Sequence, residues 1–186
     1  MKIWEETHTL VIGSRVEGGQ AIDASPYAAA VAAYTIRGPA PDVTIINSVL
    51  NGGEAAQSNG IILAYAALLQ LVNSDVWADS IDCFYYWGWS VCWPNPSTLN
   101  QTSIFVTEAV GNFSLDPQFT DDLGHLAETS PCVDAGTDPD VYLGEFSDWS
   151  NWLGVDVAEL IAHDRDGDPR PHGPAWDIGP DEWTPQ

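Results

Sequence analysis

The residues most suited to chemistry lie near the C-terminus. Asp164-x-Asp166-Gly167-Asp168 places carboxylates at alternate positions around a glycine, a pattern suited to a hard cation such as calcium. It is not an EF-hand, because the twelfth position is Ala175 rather than Glu. The competing reading is a solvated turn. A glycosidase would instead need two carboxylates about 5 to 9 Å apart across a sugar. Asp75, Asp121 and Asp122 are the carboxylates on offer, in short and common fragments. A polysaccharide lyase would need a base and a cation to neutralise a uronate, and Arg15 and Arg37 are the candidates in the body of the chain. Tyr85, Tyr86, Trp87, Trp89 and Trp93 form a dense aromatic run. Exposed, it is a platform on which sugar rings stack; packed, it is a plug between core and C-terminal segment. His8, His125, His163 and His172 are scattered, without a nucleophile elbow, and read as surface or turn histidines.

Charge narrows the partners. Of 186 residues, 27 are Asp or Glu and 5 are Lys or Arg, for a net charge of −22. Nucleic acid and anionic membrane are excluded as expected partners, because both need clustered cations. The acids do not signal disorder, since hydrophobic residues make up 45% and nine are Trp. Residues 1–93 hold nine acids and residues 94–186 hold eighteen. A packed body followed by an acidic, loop-rich segment is expected. No apolar run is long enough for a transmembrane helix, and Met1 to Glu6 does not read as a signal peptide. Cys83, Cys92 and Cys132 include no CxxC pair, which disfavours zinc held by thiolates. Cys83 and Cys92 either bridge in an oxidising compartment or are ordinary thiols.

The elements that must position these groups repeat. Ile12 to Gly19 aligns with Ile46 to Gly53 with four of eight positions identical, and Val72 to Trp77 aligns with Ile46 to Asn51. Each unit is a short apolar run that turns at Gly or Asn. Such units cannot bury an apolar face alone, but stacking about 4.8 Å apart closes the backbone ladder. Asn47 and Asn73 are expected to stack at equivalent corners, with their amides bonded along the ladder. The alternative is helix over Tyr27 to Ile36 and Ile61 to Val72, where Ala and Leu are frequent. The repeats favour an all-β fold: a short right-handed parallel β-helix with a loop-rich C-terminal cap. Its coils span 1–110 and its capping segment 111–186.

Three ordered motifs add a resemblance. They are Gly111-Asn-Phe-Ser-Leu-Asp-Pro-Gln-Phe119, Ser130-Pro-Cys-Val-Asp-Ala-Gly136, and Asp164 to Glu182 with its Asp-Arg-Asp-Gly-Asp-Pro-Arg-Pro and Trp-Asp-Ile-Gly-Pro-Asp-Glu elements. Together they resemble the C-terminal signature of bacterial right-handed parallel β-helix surface proteins of the pectate-lyase-like, choice-of-anchor type. The resemblance covers about residues 105–183 and implies an extracellular or cell-surface setting. Read from the residues, Asp116-Pro117 starts a turn, Gly136 is free to take positive φ, and Arg170 is placed to pair with Asp134 or Asp177. The insertion Asp138 to His163 is longer than the resemblance implies, and Trp149 to Ile161 reads as one short amphipathic helix.

The expected function is a non-catalytic extracellular module that binds carbohydrate or another partner, or terminates a larger β-helix. Calcium and a polysaccharide are its candidate ligands, and exposed coil ends are a route to homo-oligomers. The alternative is a carbohydrate-active enzyme, a polysaccharide lyase or glycoside hydrolase.

Overall fold

The computed structural model describes residues 2–3, 8–18, 27–34, 42–52, 57–64, 68–77, 83–86, 89–92, 99–102, 106–143 and 146–185. Among these residues twelve strands come first: β1 (Lys2–Ile3), β2 (His8–Ile12), β3 (Arg15–Glu17), β4 (Tyr27–Tyr34), β5 (Asp42–Ile46), β6 (Val49–Asn51), β7 (Gln57–Ala64), β8 (Leu68–Val72), β9 (Asp75–Trp77), β10 (Cys83–Tyr86), β11 (Trp89–Cys92) and β12 (Val106–Val110). Among the described residues three short helices follow: α1 (Asp140–Leu143), α2 (Phe146–Leu153) and α3 (Val157–Ile161). The strands form three sheets, in the orders β1-β4-β7-β10-β11, β12-β8-β5-β2 and β3-β6-β9.

All named pairings are parallel except β10 with β11, which run antiparallel. Ile12 pairs with Ile46 and Ile46 with Val72, as the repeat alignment requires. The helical alternative does not hold. Tyr27–Tyr34 and Gln57–Ala64 pair with each other as strands, and Leu68–Val72 is a third strand. In-register neighbours satisfy every second backbone group, which outweighs the modest helix propensity of Ala and Leu.

The turn between the second and third sheets repeats at every level. Gly13, Asn47, Asn73 and Gly111 occupy it with φ of 49°, 49°, 41° and 68°. This left-handed conformation suits Gly and Asn. The next residue carries the ladder. The Ser14 amide donates to Ser48 Oγ (3.3 Å), the Ser48 amide to Ser74 Oγ (3.2 Å), and the Ser74 amide to Asn112 Oδ1 (3.0 Å). The residue after each corner, Ser48, Ser74 or Asn112, and not the corner asparagine, therefore bonds from level to level. Asn47 and Asn73 point their amides outward: Asn47 Nδ2 donates to the Thr137 carbonyl (2.6 Å) and Asn73 Nδ2 to that of Ala135 (3.0 Å).

Two cores result. Val11, Ile45, Leu71 and Ala109 stack inside with Val43, Leu69 and Val106, and with Leu50 and Val76 from the third sheet. Outside that third sheet, Val49 packs with Leu126, Cys132 and Ile178 of the terminal segment, beside Phe113, Phe119 and Trp183. The terminal segment thus runs lengthwise along the corner and touches every level. It continues directly from Gly111-Asn112 and meets Asn73 through Ala135, Asn47 through Thr137, and Gly13 through Arg170, whose guanidinium lies against the Gly13 Cα. The Gly179 amide also donates to the Asn47 carbonyl (2.9 Å).

Several local expectations are corrected. Arg170 pairs with Glu182 (Nε–Oε2 3.7 Å), both nearly fully buried, rather than with Asp134 or Asp177. Asp177 is occupied by the backbone amides of Asp134 (2.6 Å) and Trp183 (2.7 Å). Asp134, not Gly136, takes positive φ, at 53°. Gly136 serves close approach, because a Cβ there would lie 2.7 Å from the Trp176 carbonyl oxygen. The single helix expected over Trp149 to Ile161 is two. Gly154 turns the chain at φ 72°, and Asp156 caps α3 by accepting from the Glu159 amide. Asp116 does organise its turn, accepting from the Gln118 amide (2.9 Å). Among the described residues no helix is long and apolar enough to cross a membrane.

Candidate functional site

The outer face of the β12-β8-β5-β2 sheet carries side chains that strand alternation turns away from the core. His8, Asp42 and Leu68 are one register column; Thr44 and Gln70 belong to the next. His8 Nδ1 lies 3.2 Å from Asp42 Oδ2. The Thr44 hydroxyl donates to Gln70 Oε1 (3.3 Å), which leaves the Gln70 NH2 without a partner among the described residues. Across from these columns stand Tyr142 and Leu143 of α1 and Trp149 of α2, enclosing a cleft of about 410 Å³. Trp149 and Trp152 meet edge to face with ring centroids 5.9 Å apart, and Trp152 meets His8 in the same way at 5.8 Å. Three residues apart on α2, the two tryptophans share a helix face. Donors, acceptors and aromatic carbon are all present, and among the described residues the lining includes Asp42 but no Lys or Arg; Arg37 lies outside the described residues.

A second, more acidic cleft of about 720 Å³ lies within the terminal segment and includes Asp121, His125, Asp166, Asp168 and Asp181. It redistributes the roles of the Asp164-Asp166-Asp168 pattern. Asp164 is spent on backbone: Oδ1 accepts from the Asp166 and Asp168 amides (both 2.9 Å) and Oδ2 from the Glu182 amide (3.0 Å). Burial alone would raise its pKa, but these amides outweigh burial and hold it below the usual value. Asp168 donates its amide to that turn and lines the cleft. Asp166 alone of the three joins a group able to hold a metal. Its Oδ2 lies 2.8 Å from His125 Nε2, and ligand atoms of His125, Asp166 and Asp181 all fall within 4.8 Å of one another. His125 Nδ1 lies 2.5 Å from Asp121 Oδ2. That contact, with the one to Asp166, raises the His125 pKa and lowers that of Asp121.

The carboxylates offered for glycosidase chemistry occupy different settings. Asp75 is fully buried under the terminal segment, where Oδ1 accepts from the Leu115 amide (3.1 Å) and Oδ2 faces Cys132 Sγ (3.8 Å). Asp121 organises an exposed loop, with Oδ1 accepting from the amides of Leu123, Gly124 and His125. Asp122 is exposed, and its carbonyl accepts from Arg15 (3.3 Å). Asp75 and Asp122 line neither cleft.

Of the aromatic run, Tyr85 and Tyr86 lie in β10 and Trp89 in β11, while Trp87 and Trp93 lie outside the described residues. Cys83 and Cys92 are register partners at the open end of that hairpin. The sheet-face cleft uses residues that sequence reasoning did not single out, namely Asp42, Thr44, Gln70, Thr107 and Tyr142. The two tryptophans of the 138–163 insertion were the available signal. Compared with protein-family models, with curated proteins and with solved structures, this chain matches none.

Proposed function

We propose that the chain is a short right-handed parallel β-helix. The segment after residue 110 closes it along one corner, and the molecule is a non-catalytic module that binds a neutral carbohydrate, alone or at the end of a longer stack. One observation carries the binding role. A cleft of about 410 Å³ sets the aromatic residues Tyr142 and Trp149 opposite two columns of polar side chains on a rigid sheet. That volume lies within the range of small-ligand sites. Sugar rings offer hydroxyls to groups such as Thr44, Gln70 and Asp42, and C–H faces to aromatic carbon. Trp152 extends the aromatic rim beyond the cleft at 58% exposure. The Asp42 carboxylate in the lining disfavours an anionic sugar.

The non-catalytic reading is supported by the lining itself. His8 and Asp42 face each other there, and among the described residues no second carboxylate stands across the cleft as a glycosidase requires. An extracellular or surface setting belongs to the same proposal and rests on motif resemblance.

The test is tryptophan fluorescence on titration with neutral oligosaccharides and with polyuronates, alongside product analysis on the same panel. Saturable quenching by a neutral oligosaccharide, lost in Trp149→Ala, with no product, is the expected result. Quenching by none of them would overturn the binding role, and turnover would overturn the non-catalytic one.

A further inference from the structure

We infer that a cleft beside the Gly13 corner binds an oxyanion group, a carboxylate, sulfate or phosphate, through Arg165 and Arg170. The sequence has five cationic side chains, Lys2, Arg15, Arg37, Arg165 and Arg170, against 27 acids. Three of the five line this one cleft of about 320 Å³, together with Ser14 and His163. Among the described residues neither the carbohydrate cleft nor the acidic cleft has a Lys or Arg in its lining. The carbohydrate cleft shares no lining residue with this one, so the two sites are independent.

The partners these arginines already have leave donors open. Arg15 is the best satisfied: Nε (2.8 Å) and Nη2 donate to Glu17 Oε1, and Nη1 donates to the Asp122 carbonyl (3.3 Å). Arg165 Nη1 donates to the next carbonyl, that of Leu123, which draws two guanidinium groups to one loop. Arg165 Nε stands 4.0 Å from Asp166 Oδ2, outside hydrogen-bond reach. Arg170 carries the independent sign of a missing ligand. Its side chain is 4% exposed, yet only Nη2 of its three nitrogens is bonded, to the Gly179 carbonyl (3.0 Å). Nε is buried without a hydrogen-bond partner, with Glu182 Oε2 3.7 Å away. Nη1 also has no acceptor among the described residues, and it occupies the place at the cleft wall that a Gly13 side chain would take. Buried charged donors are seldom left open, because the bonds they lost to water must be replaced.

The neighbouring acids are turned to other donors. Glu182 Oε1 accepts from the His172 amide (2.9 Å) and Oε2 from the Asp177 amide (3.4 Å). Asp164, which lines the cleft too, gives both oxygens to the amides of Asp166, Asp168 and Glu182. The planar fork of a guanidinium matches an oxyanion with two acceptor oxygens. Ile12, Leu160 and Ile161 supply apolar lining for the carbon of an organic anion.

The experiment titrates the full chain calorimetrically with sodium sulfate, phosphate, acetate and glucuronate. Sodium chloride holds the ionic strength constant, so that screening of the −22 charge is the same throughout. The expected result is one equivalent of at least one probe, with a Kd of about 1 mM or tighter. Sulfate or phosphate binding most tightly identifies a free anion as the ligand, and glucuronate binding more tightly than acetate identifies an organic carboxylate. Arg165→Gln should keep the far-ultraviolet spectrum, because the side chain is 38% exposed, and weaken the bound probe at least about tenfold. Arg170→Lys, which keeps the charge but loses the fork, should weaken it by about the same factor. Trp149→Ala should leave it unchanged. Saturation by none of the four probes, unchanged affinity in Arg165→Gln, or affinity lost in Trp149→Ala would overturn the inference.

Discussion

Removing the Asn47 side-chain amide should loosen the terminal segment from the corner by a calculable amount. The side chain is fully buried and makes two bonds to one residue: Nδ2 to the Thr137 carbonyl at 2.6 Å, and Oδ1 from the Thr137 amide at 2.9 Å. Each bond is worth about 1 kcal/mol net, and more when its partner is left buried without water. Asn47→Ala should therefore cost about 2–4 kcal/mol from the bonds. It should lose about 1 kcal/mol more because alanine tolerates φ of 49° less well than asparagine. Asn47→Gly loses the same bonds but relieves the backbone, so it should be the more stable variant by about 1 kcal/mol. For a chain of this length, each kcal/mol corresponds to about 2–4 °C in Tm. Thermal unfolding followed by near-ultraviolet circular dichroism should show Asn47→Ala, about 3–5 kcal/mol less stable, melting about 6–20 °C below wild type. A loss within about 0.5 kcal/mol, the range of an ordinary surface change, would refute the claim that this amide anchors the segment. An Asn47→Gly variant no more stable than Asn47→Ala would refute the backbone part of the argument.

Gly136→Ala should cost about 2–3 kcal/mol in urea unfolding, because its Cβ would lie 2.7 Å from the Trp176 carbonyl oxygen and 3.0 Å from Asn47 Cγ. Gly154→Ala, at φ 72° with open space around it, should lose only the backbone preference, about 1 kcal/mol. Burial raises the pKa of Asp177 and of Glu182. A carboxyl with a raised folded-state pKa favours the fold below its unfolded value and loses that contribution as pH rises through the folded one. His125, held up first by Asp121, acts in the same direction, so the urea midpoint in chelator should be higher near pH 5 than at pH 8. Below about pH 4 the sign reverses, because Asp164 has a lowered pKa and loses its stabilising charge as it is protonated. Under oxidising conditions, denatured protein should expose one reactive thiol rather than three. Cys83 and Cys92 are direct antiparallel partners, at a Cα separation of about 4.5–5.5 Å that a disulfide spans. Cys132 then accounts for the one thiol, and in the native state burial and the Asp75 charge raise its pKa and keep it unreactive.

The strand ladder was legible in the sequence because a parallel register preserves sequence offset. Ile12, Ile46 and Val72 align by residue type and pair in space. The next level, β12, escaped the repeat because 33 residues separate it from β8. Its corner uses Gly111-Asn112 in place of Asn-Ser, and Asn112 takes over the serine role with its Oδ1. The corner asparagines were found, but their partners were not. Only the fold brings Ala135 and Thr137 within reach, and nothing local encodes a contact across 90 residues. Site residues divided in the same way. The Asp164 to Asp168 spacing did mark a carboxylate turn, but whether each acid meets an amide or an open cleft depends on the chain folded over it. Asp164 was met by the Glu182 amide, while Asp166 was met by His125. Thr44 and Gln70 carry no motif at all; they matter because strand alternation turns them outward beneath Trp149.

The most direct test of the functional reading is calorimetric titration of the wild type, Gln70→Ala and Trp149→Ala with a neutral oligosaccharide that quenches the wild-type fluorescence. Wild type should bind one equivalent, and each variant should lose at least about 1 kcal/mol, close to tenfold in affinity. Unchanged binding in both variants would place the sugar elsewhere on the molecule and contradict the cleft as its site.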